Sequence, residues 1–250
     1  MNTRLTFIGL FLASLLPYSA DGAVITWGVV QSTTTSAVND VARFGDVVLA
    51  INGQSQGNAS SRRPGDAVLA GITFQSLDFD QFLGQVAIND QTALSLPATT
   101  TTGDAQYDTF LNHVAFVNVN NASNSAATGL SGTDQDAVYP IPNLAIGKQY
   151  SIQVWYTDER VGNESRAMTY GDNEAGGNSA SVPGTGANGL GSFVVGSFTA
   201  DATSQDLRIT TTTAGRGHIT GLLVQAVPEP SSLFVCSFGV VGLLVRRRRG

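Results

Sequence analysis

Gly53-Gln54-Ser55-Gln56-Gly57 has the Gly-x-Ser-x-Gly spacing of a nucleophile elbow and follows a strand-like run. The elbow needs a helix directly behind the serine, to aim it and to supply the oxyanion amide. Asn58-Ala59-Ser60-Ser61 and Arg62-Arg63-Pro64-Gly65 follow instead. That is loop chemistry, so the stretch reads as a glycine-rich turn. Gly184-Thr185-Gly186-Ala187-Asn188-Gly189 matches the dinucleotide fingerprint, but Pro183 precedes it and the β-like run Ser192–Ala200 follows. The fingerprint works only where a helix N-terminus meets a pyrophosphate. His113 and His218 are the only histidines and Cys236 the only cysteine. A zinc site would need further nitrogen or sulfur ligands at suitable spacing.

Calcium takes oxygen ligands from loops. Asp172 and Glu174 flank Asn173 and are the candidate ligands for a structural calcium; Asp134 with Asp136, and Asp158-Glu159, are lesser groupings. None follows the EF-hand pattern, and solvated turn acids are the plainer account. No other cofactor is expected. Glycoside hydrolysis needs two carboxylates at a set separation across a bond, which spacing in a sequence cannot supply. Sugar binding needs an aromatic platform beside polar groups. Trp27, Trp155 and Tyr156 are the candidates, with Tyr139 and Tyr170 also available. Trp155 sits opposite the apolar face of its run, where it either stacks on a sugar or packs in a core; packing is the preferred reading for it and for Trp27. The threonine runs Thr33–Thr35, Thr99–Thr102 and Thr210–Thr213 place consecutive hydroxyls on both faces of a strand, so they form no flat ice-binding surface.

The elements that must carry these residues are strands. Short apolar-alternating runs recur with turn signals between them: Val24–Val30, Asp46–Asn52, Val68–Phe74, Ser76–Phe82, Ala115–Asn120, Ser192–Ala200, Leu207–Thr213 and His218–Val227. The clearest is Tyr150–Tyr156, with Tyr150, Ile152, Val154 and Tyr156 on one face and Ser151, Gln153 and Trp155 on the other. Tyr107, Phe110, Leu111 and Val114 have helical spacing behind Asp104, an N-cap candidate, so Ala105–His113 is expected as one short helix. Asn121–Gly132 and Gly171–Gly191 read as long Gly/Asn/Ser loops. Eight to ten strands in one domain imply an all-β, two-sheet sandwich.

The two ends differ from this middle. Met1–Arg4 carries one positive charge, Leu5–Leu16 is almost wholly apolar, and Pro17-Tyr18-Ser19-Ala20 brings a breaker and small residues. The expectation is a secretory signal peptide over residues 1–23, then a domain over 24–227, then a tail over 228–250. The tail starts with Pro228, Glu229 and Pro230, a stiff extended stalk. Its apolar run contains Leu233, Phe234, Val235, Phe238, Val240, Val241, Leu243, Leu244 and Val245, and ends at Arg246, Arg247, Arg248 and Arg249. As a helix the run covers roughly 20 Å, against about 30 Å of hydrocarbon, with the arginines held on the cytoplasmic side. A brief membrane anchor of transmembrane-helix type is expected.

That order of motif, apolar run and arginine cluster resembles the PEP-CTERM sorting signal of exported bacterial proteins. The resemblance implies an exosortase-type sorting protease as partner, cutting near Pro228-Glu229-Pro230. The segment Asn143-Leu144-Ala145-Ile146-Gly147-Lys148-Gln149-Tyr150 leading into Ile152-Gln153-Val154-Trp155-Tyr156, and Phe193-Val194-Val195-Gly196-Ser197-Phe198-Thr199-Ala200, resemble galactose-binding-like jelly-roll domains. This implies a fold more than a ligand.

Removing Arg4 and the four terminal arginines from 13 basic residues, and Asp21 and Glu229 from 19 acidic ones, leaves 8 and 17 in the domain. A charge near −9 with only Arg62-Arg63 adjacent argues against nucleic acid. The expectation is therefore a non-catalytic exported protein of the cell surface or extracellular matrix, sorted through its tail. A carbohydrate-binding module with a polysaccharide partner is the first alternative and a secreted hydrolase the second.

Overall fold

A computed structural model describes residues 22–53, 66–76, 102–111, 115–116, 137–158, 166–172, 177–185, 189–211 and 218–229. In chain order the strands are β1 Thr26–Trp27, β2 Gln31–Ser32, β3 Asp46–Asn52, β4 Ala67–Leu69, β5 Ile72–Ser76, β6 Ala115–Phe116 and β7 Ala137–Ile141. They continue with β8 Gln149–Tyr156, β9 Ala167–Asp172, β10 Ser179–Pro183, β11 Ser192–Thr199, β12 Gln205–Thr211, β13 His218–Ile219 and β14 Gly221–Ala226. Two short helices, α1 Ala37–Asp40 and α2 Ala105–Leu111, interrupt them.

Period-2 patterning sorts most of these strands into two layers, while β6 and β13 pair in a two-stranded sheet of their own. The larger sheet runs β1-β11-β8-β14-β3-β5-β4, with β2 also on β11; the smaller runs β10-β9-β12-β7. Tyr150, Ile152, Val154 and Tyr156 of β8 pack with Val194, Phe198, Leu222 and Val224 against Tyr139, Met168, Tyr170, Val182, Leu207 and Ile209 from the smaller sheet. This is the core of a two-sheet β-sandwich, mostly antiparallel, with β3–β5 the parallel exception. Both edges of the smaller sheet carry a proline, Pro183 on β10 and Pro140 on β7. Proline donates no ladder bond, which blunts an edge against further pairing.

The back of the larger sheet is also half covered. Trp155, Phe193 and Leu223 form a second buried cluster with Phe74, Tyr107, Phe110 and Leu111. Trp155 has no exposed surface, and its ring centroid lies 5.4 Å from Phe110 and 5.7 Å from Phe74, edge-on to both. A Cβ on Gly221 would collide with the Phe110 ring, so glycine there lets α2 sit down on β14. Asp104 caps α2 as its position suggests: its Oδ1 accepts from Gln106 N at 2.9 Å and Tyr107 N at 3.3 Å.

The strands Asp46–Asn52 and Tyr150–Tyr156 lie where the alternation places them. Other stretches differ. Val24–Val30 yields only the two-residue β1, and a second two-residue pairing with β11, β2, follows it at Gln31–Ser32. His218–Val227 breaks at Thr220, whose hydroxyl accepts from Thr157 N at 2.9 Å. The expected loop Gly171–Gly191 contains β10, where Ala180 and Val182 face the core between exposed Ser179 and Ser181. Small apolar residues among serines masked that alternation. Residues 1–21 of the expected signal segment, Pro230 and everything after it, Glu174, Cys236 and His113 lie outside the described residues. Among the described residues no helix is long and apolar enough to cross a membrane.

Candidate functional site

The uncovered half of the back face begins four residues from Trp155, at Ser151, past the buried Gln153. Cross-strand register aligns Val195–Gln153–Leu223 and then Ser197–Ser151–Gln225, with Thr26 of β1 opposite Ser197. Apolar side chains give way to hydroxyls and amides along the same strands. The result is an open groove of about 460 Å³, floored by Ser151, Ser197 and Thr26. Val195 closes one end and Gln149 and Val227 the other. Phe44 forms the rim and is 47% exposed.

Phe44 is held there by two glutamines. Gln153 and Gln225 are only 1% and 2% exposed, and a buried amide is costly unless its hydrogen bonds are made. Both make them with residues 40–45, a strap crossing the sheet. Gln153 donates through Nε2 to Asp40 O at 2.6 Å and accepts at Oε1 from Ala42 N at 2.8 Å. Gln225 accepts from Phe44 N and donates to Gly45 O, each at 3.3 Å. The strap has two more anchors. Asp40 Oδ2 accepts from the Tyr107 hydroxyl at 2.6 Å and from Thr34 N at 2.7 Å. Arg43 donates to Ala70 O, in the Ala70-Gly71 turn of the β4–β5 hairpin. Both turn residues have positive φ, 51° and 81°, as a tight two-residue hairpin requires. Burial, then the Asp40 contact, pushes the Tyr107 hydroxyl well above its ordinary pKa.

The three aromatic candidates read from sequence fall elsewhere. Trp155 belongs to the covered cluster, in keeping with the packing reading. Tyr156 is fully buried between the sheets and donates to Asp158 Oδ2 at 3.2 Å. A sugar reaches neither ring. Trp27 borders the groove, but its ring packs against the inter-sheet core. It lies over Gly196, where a Cβ would come 2.8 Å from Trp27 Cε3. Its indole N–H is buried without a partner. Phe44 carries the exposed ring instead. Sequence pattern gave no reason to choose it, because the strap lies outside any strand; the out-facing Gln153 was the available signal.

Of the candidate acids Asp158 and Asp172 can be placed; Asp134, Asp136 and Glu159 lie outside the described residues. Asp158 is fully buried and lies 3.8 Å from the Arg166 guanidinium. Asp172 Oδ2 accepts from Ile25 N at 2.8 Å and Asn178 N at 3.3 Å, tying the start of the domain to β9. Among the described residues no three His, Cys, Asp or Glu side chains cluster for a metal. His218 is buried, and its backbone carbonyl accepts from the Tyr170 hydroxyl at 2.6 Å. Pro228 and Glu229 are exposed beside the groove wall at Val227.

No family model matches the chain, and no curated protein matches its sequence. Among solved structures it is similar to the ANX1 ectodomain from Arabidopsis thaliana, at 15% identity and TM-score 0.44, over 74% of this chain and 42% of that one. It is similar to a β-glucuronidase from Bacteroides uniformis at 15% identity and TM-score 0.42, over 72% and 18% respectively. CBM35 from Cellvibrio japonicus Abf62 gives 19% identity and TM-score 0.32, over 58% and 89%. The chain thus spans less than half the length of the first two. Likeness at this level carries no argument about ligand or activity.

Proposed function

We propose that this chain is an exported, non-catalytic surface protein whose jelly-roll-like domain binds a saccharide in the groove beneath Phe44. The carrying observation is the groove itself. It combines an exposed aromatic rim with a floor of hydroxyls and one flanking amide, Gln149, and its volume lies in the range of small-ligand sites. Sugars offer that same pairing of C–H faces and hydroxyl edges. Among the described lining residues none is titratable, so the groove offers no general acid or base, which supports binding over hydrolysis.

On this reading the tail is a sorting signal for an exosortase-type protease. The motif Pro228-Glu229-Pro230, the apolar run and Arg246–Arg249 support it, and cleavage releases or reattaches the domain outside the cell. Replacing Pro228, Glu229 and Pro230 by alanine should leave unprocessed protein in the membrane; normal processing would remove this part. The ligand reading is tested by screening the protein on immobilised neutral polysaccharides. Specific binding that Phe44→Ala weakens about tenfold, roughly 1.4 kcal/mol, supports it, and absence of binding across the panel rejects it.

A further inference from the structure

We infer a second saccharide site on the opposite outer face of the sandwich, selective for sugars bearing a carboxylate. The inference goes beyond the Phe44 groove and stands on different residues. In the smaller sheet, Met168, Tyr170, Ala180, Val182, Leu207 and Ile209 face the core. Their neighbours therefore face out, and register assembles them into two rows. One row is Ser181–Thr169–Thr210 and the other Ser179–Gly171–Arg208. Around the second row lies a groove of about 380 Å³, completed by Asn178. Gly171 makes the notch: a Cβ there would lie 3.2 Å from Asn178 O.

The chemistry selects the occupant. The described lining contains no apolar side chain larger than the threonine methyls, so a peptide's hydrophobic anchors find no pocket. Hydroxyls, an amide and open backbone match a hydroxyl-rich polymer. Arg208 is exposed in the middle of this surface, on a chain of net charge −6. It already holds an interaction within the fold, but a guanidinium has five N–H donors and a fork that fits a carboxylate. Asp206 lies two residues along the same face, and Asp172, which lines the groove's end, gives Oδ2 to two backbone N–H groups and keeps Oδ1 buried without a hydrogen-bond partner. The site is therefore no polycationic track for a phosphate polymer; it offers one guanidinium, suited to one uronate ring. The prolines at both sheet edges leave the face, rather than an added strand, as the route of attachment. With the Phe44 groove on the other face, and resting on that reading, one domain would bridge two polysaccharide chains.

The test is titration of the full protein with polygalacturonate. Wild type should bind, with affinity falling modestly as salt rises. Arg208→Ala should lose at least tenfold, Arg208→Lys less, because the planar fork but not the charge is removed. Ser179→Trp, which fills the notch from an exposed position, should also abolish binding. Phe44→Ala should leave polygalacturonate binding unchanged, which separates failure of this site from failure of the first. No binding by wild type, or equal binding by Arg208→Ala and Ser179→Trp, overturns the inference. So does loss of polygalacturonate binding in Phe44→Ala.

Discussion

The back face of the larger sheet is one surface built by two rules. Over Trp155, Phe193 and Leu223 it is sealed by α2 and the β4–β5 hairpin. Four residues along β8 and β11, over Ser151, Ser197 and Thr26, it is open. The strands are shared, and β8 keeps one register with β11 and β14 throughout, while β14 shifts register against β3 between Val224 and Gln225; along β8 and β11 it is the side-chain type that changes. The sealed half carries the large burial energies, since aromatic residues bury the most apolar area. The open half can contribute little to stability because its floor is small and polar. Gln153 and Gln225 sit at the boundary and spend their amides on the strap that limits the lid. A sheet face is thus divided into scaffold and site by where the alternation turns from aromatic to hydroxyl.

Breaking the sealed half should show the largest effects. Trp155→Ala removes the centre of three aromatic contacts and should cost about 3–5 kcal/mol, read by chemical denaturation. Alkaline pH reaches both packed regions at once. Tyr107 lies in the sealed half, Tyr139 and Tyr170 between the sheets, and burial raises all three hydroxyls above the ordinary value of 10.0. The folded chain keeps these protons while the unfolded chain loses them above pH 10. The stability is therefore full below pH 10 and falls above it. The slope should be about 1.4 kcal/mol per tyrosine per pH unit, or ~4 for the three. Tyr107→Phe should remove about a third of that slope; an unchanged slope would contradict its burial.

The boundary should respond at an intermediate level and in two readouts. Gln153→Leu leaves Ala42 N–H and Asp40 C=O without partners and should cost about 1–3 kcal/mol. It should also weaken saccharide binding, because the strap that presents Phe44 is loosened. A variant that loses stability but binds normally would show that the strap does not position Phe44. Phe44→Ala should be the mildest in stability, within about 0.5 kcal/mol, while weakening saccharide binding about tenfold.

How much of this was legible depended on side-chain contrast. β3 and β8 could be read because bulky apolar residues alternate there. The Asp104 cap and α2 could be read because Tyr107, Phe110 and Leu111 repeat at helical spacing. β10 was hidden, because its inward residues Ala180 and Val182 are little larger than its serines. The site was mostly hidden. Trp27, Trp155 and Tyr156 drew attention by type, but a ring's exposure depends on what crosses above it. That crossing is made by a strap from over a hundred residues earlier in the chain. Phe44, in a segment without period, becomes a rim only once Gln153 and Gln225 fix its backbone.

The division of the back face is tested most directly by backbone amide NMR, titrating the protein with a neutral oligosaccharide that binds. The account predicts shift changes concentrated at Thr26, Phe44, Ser151 and Ser197, with Trp155 and Phe193 unmoved. Changes centred on the sealed half, or spread evenly over both halves, would contradict it.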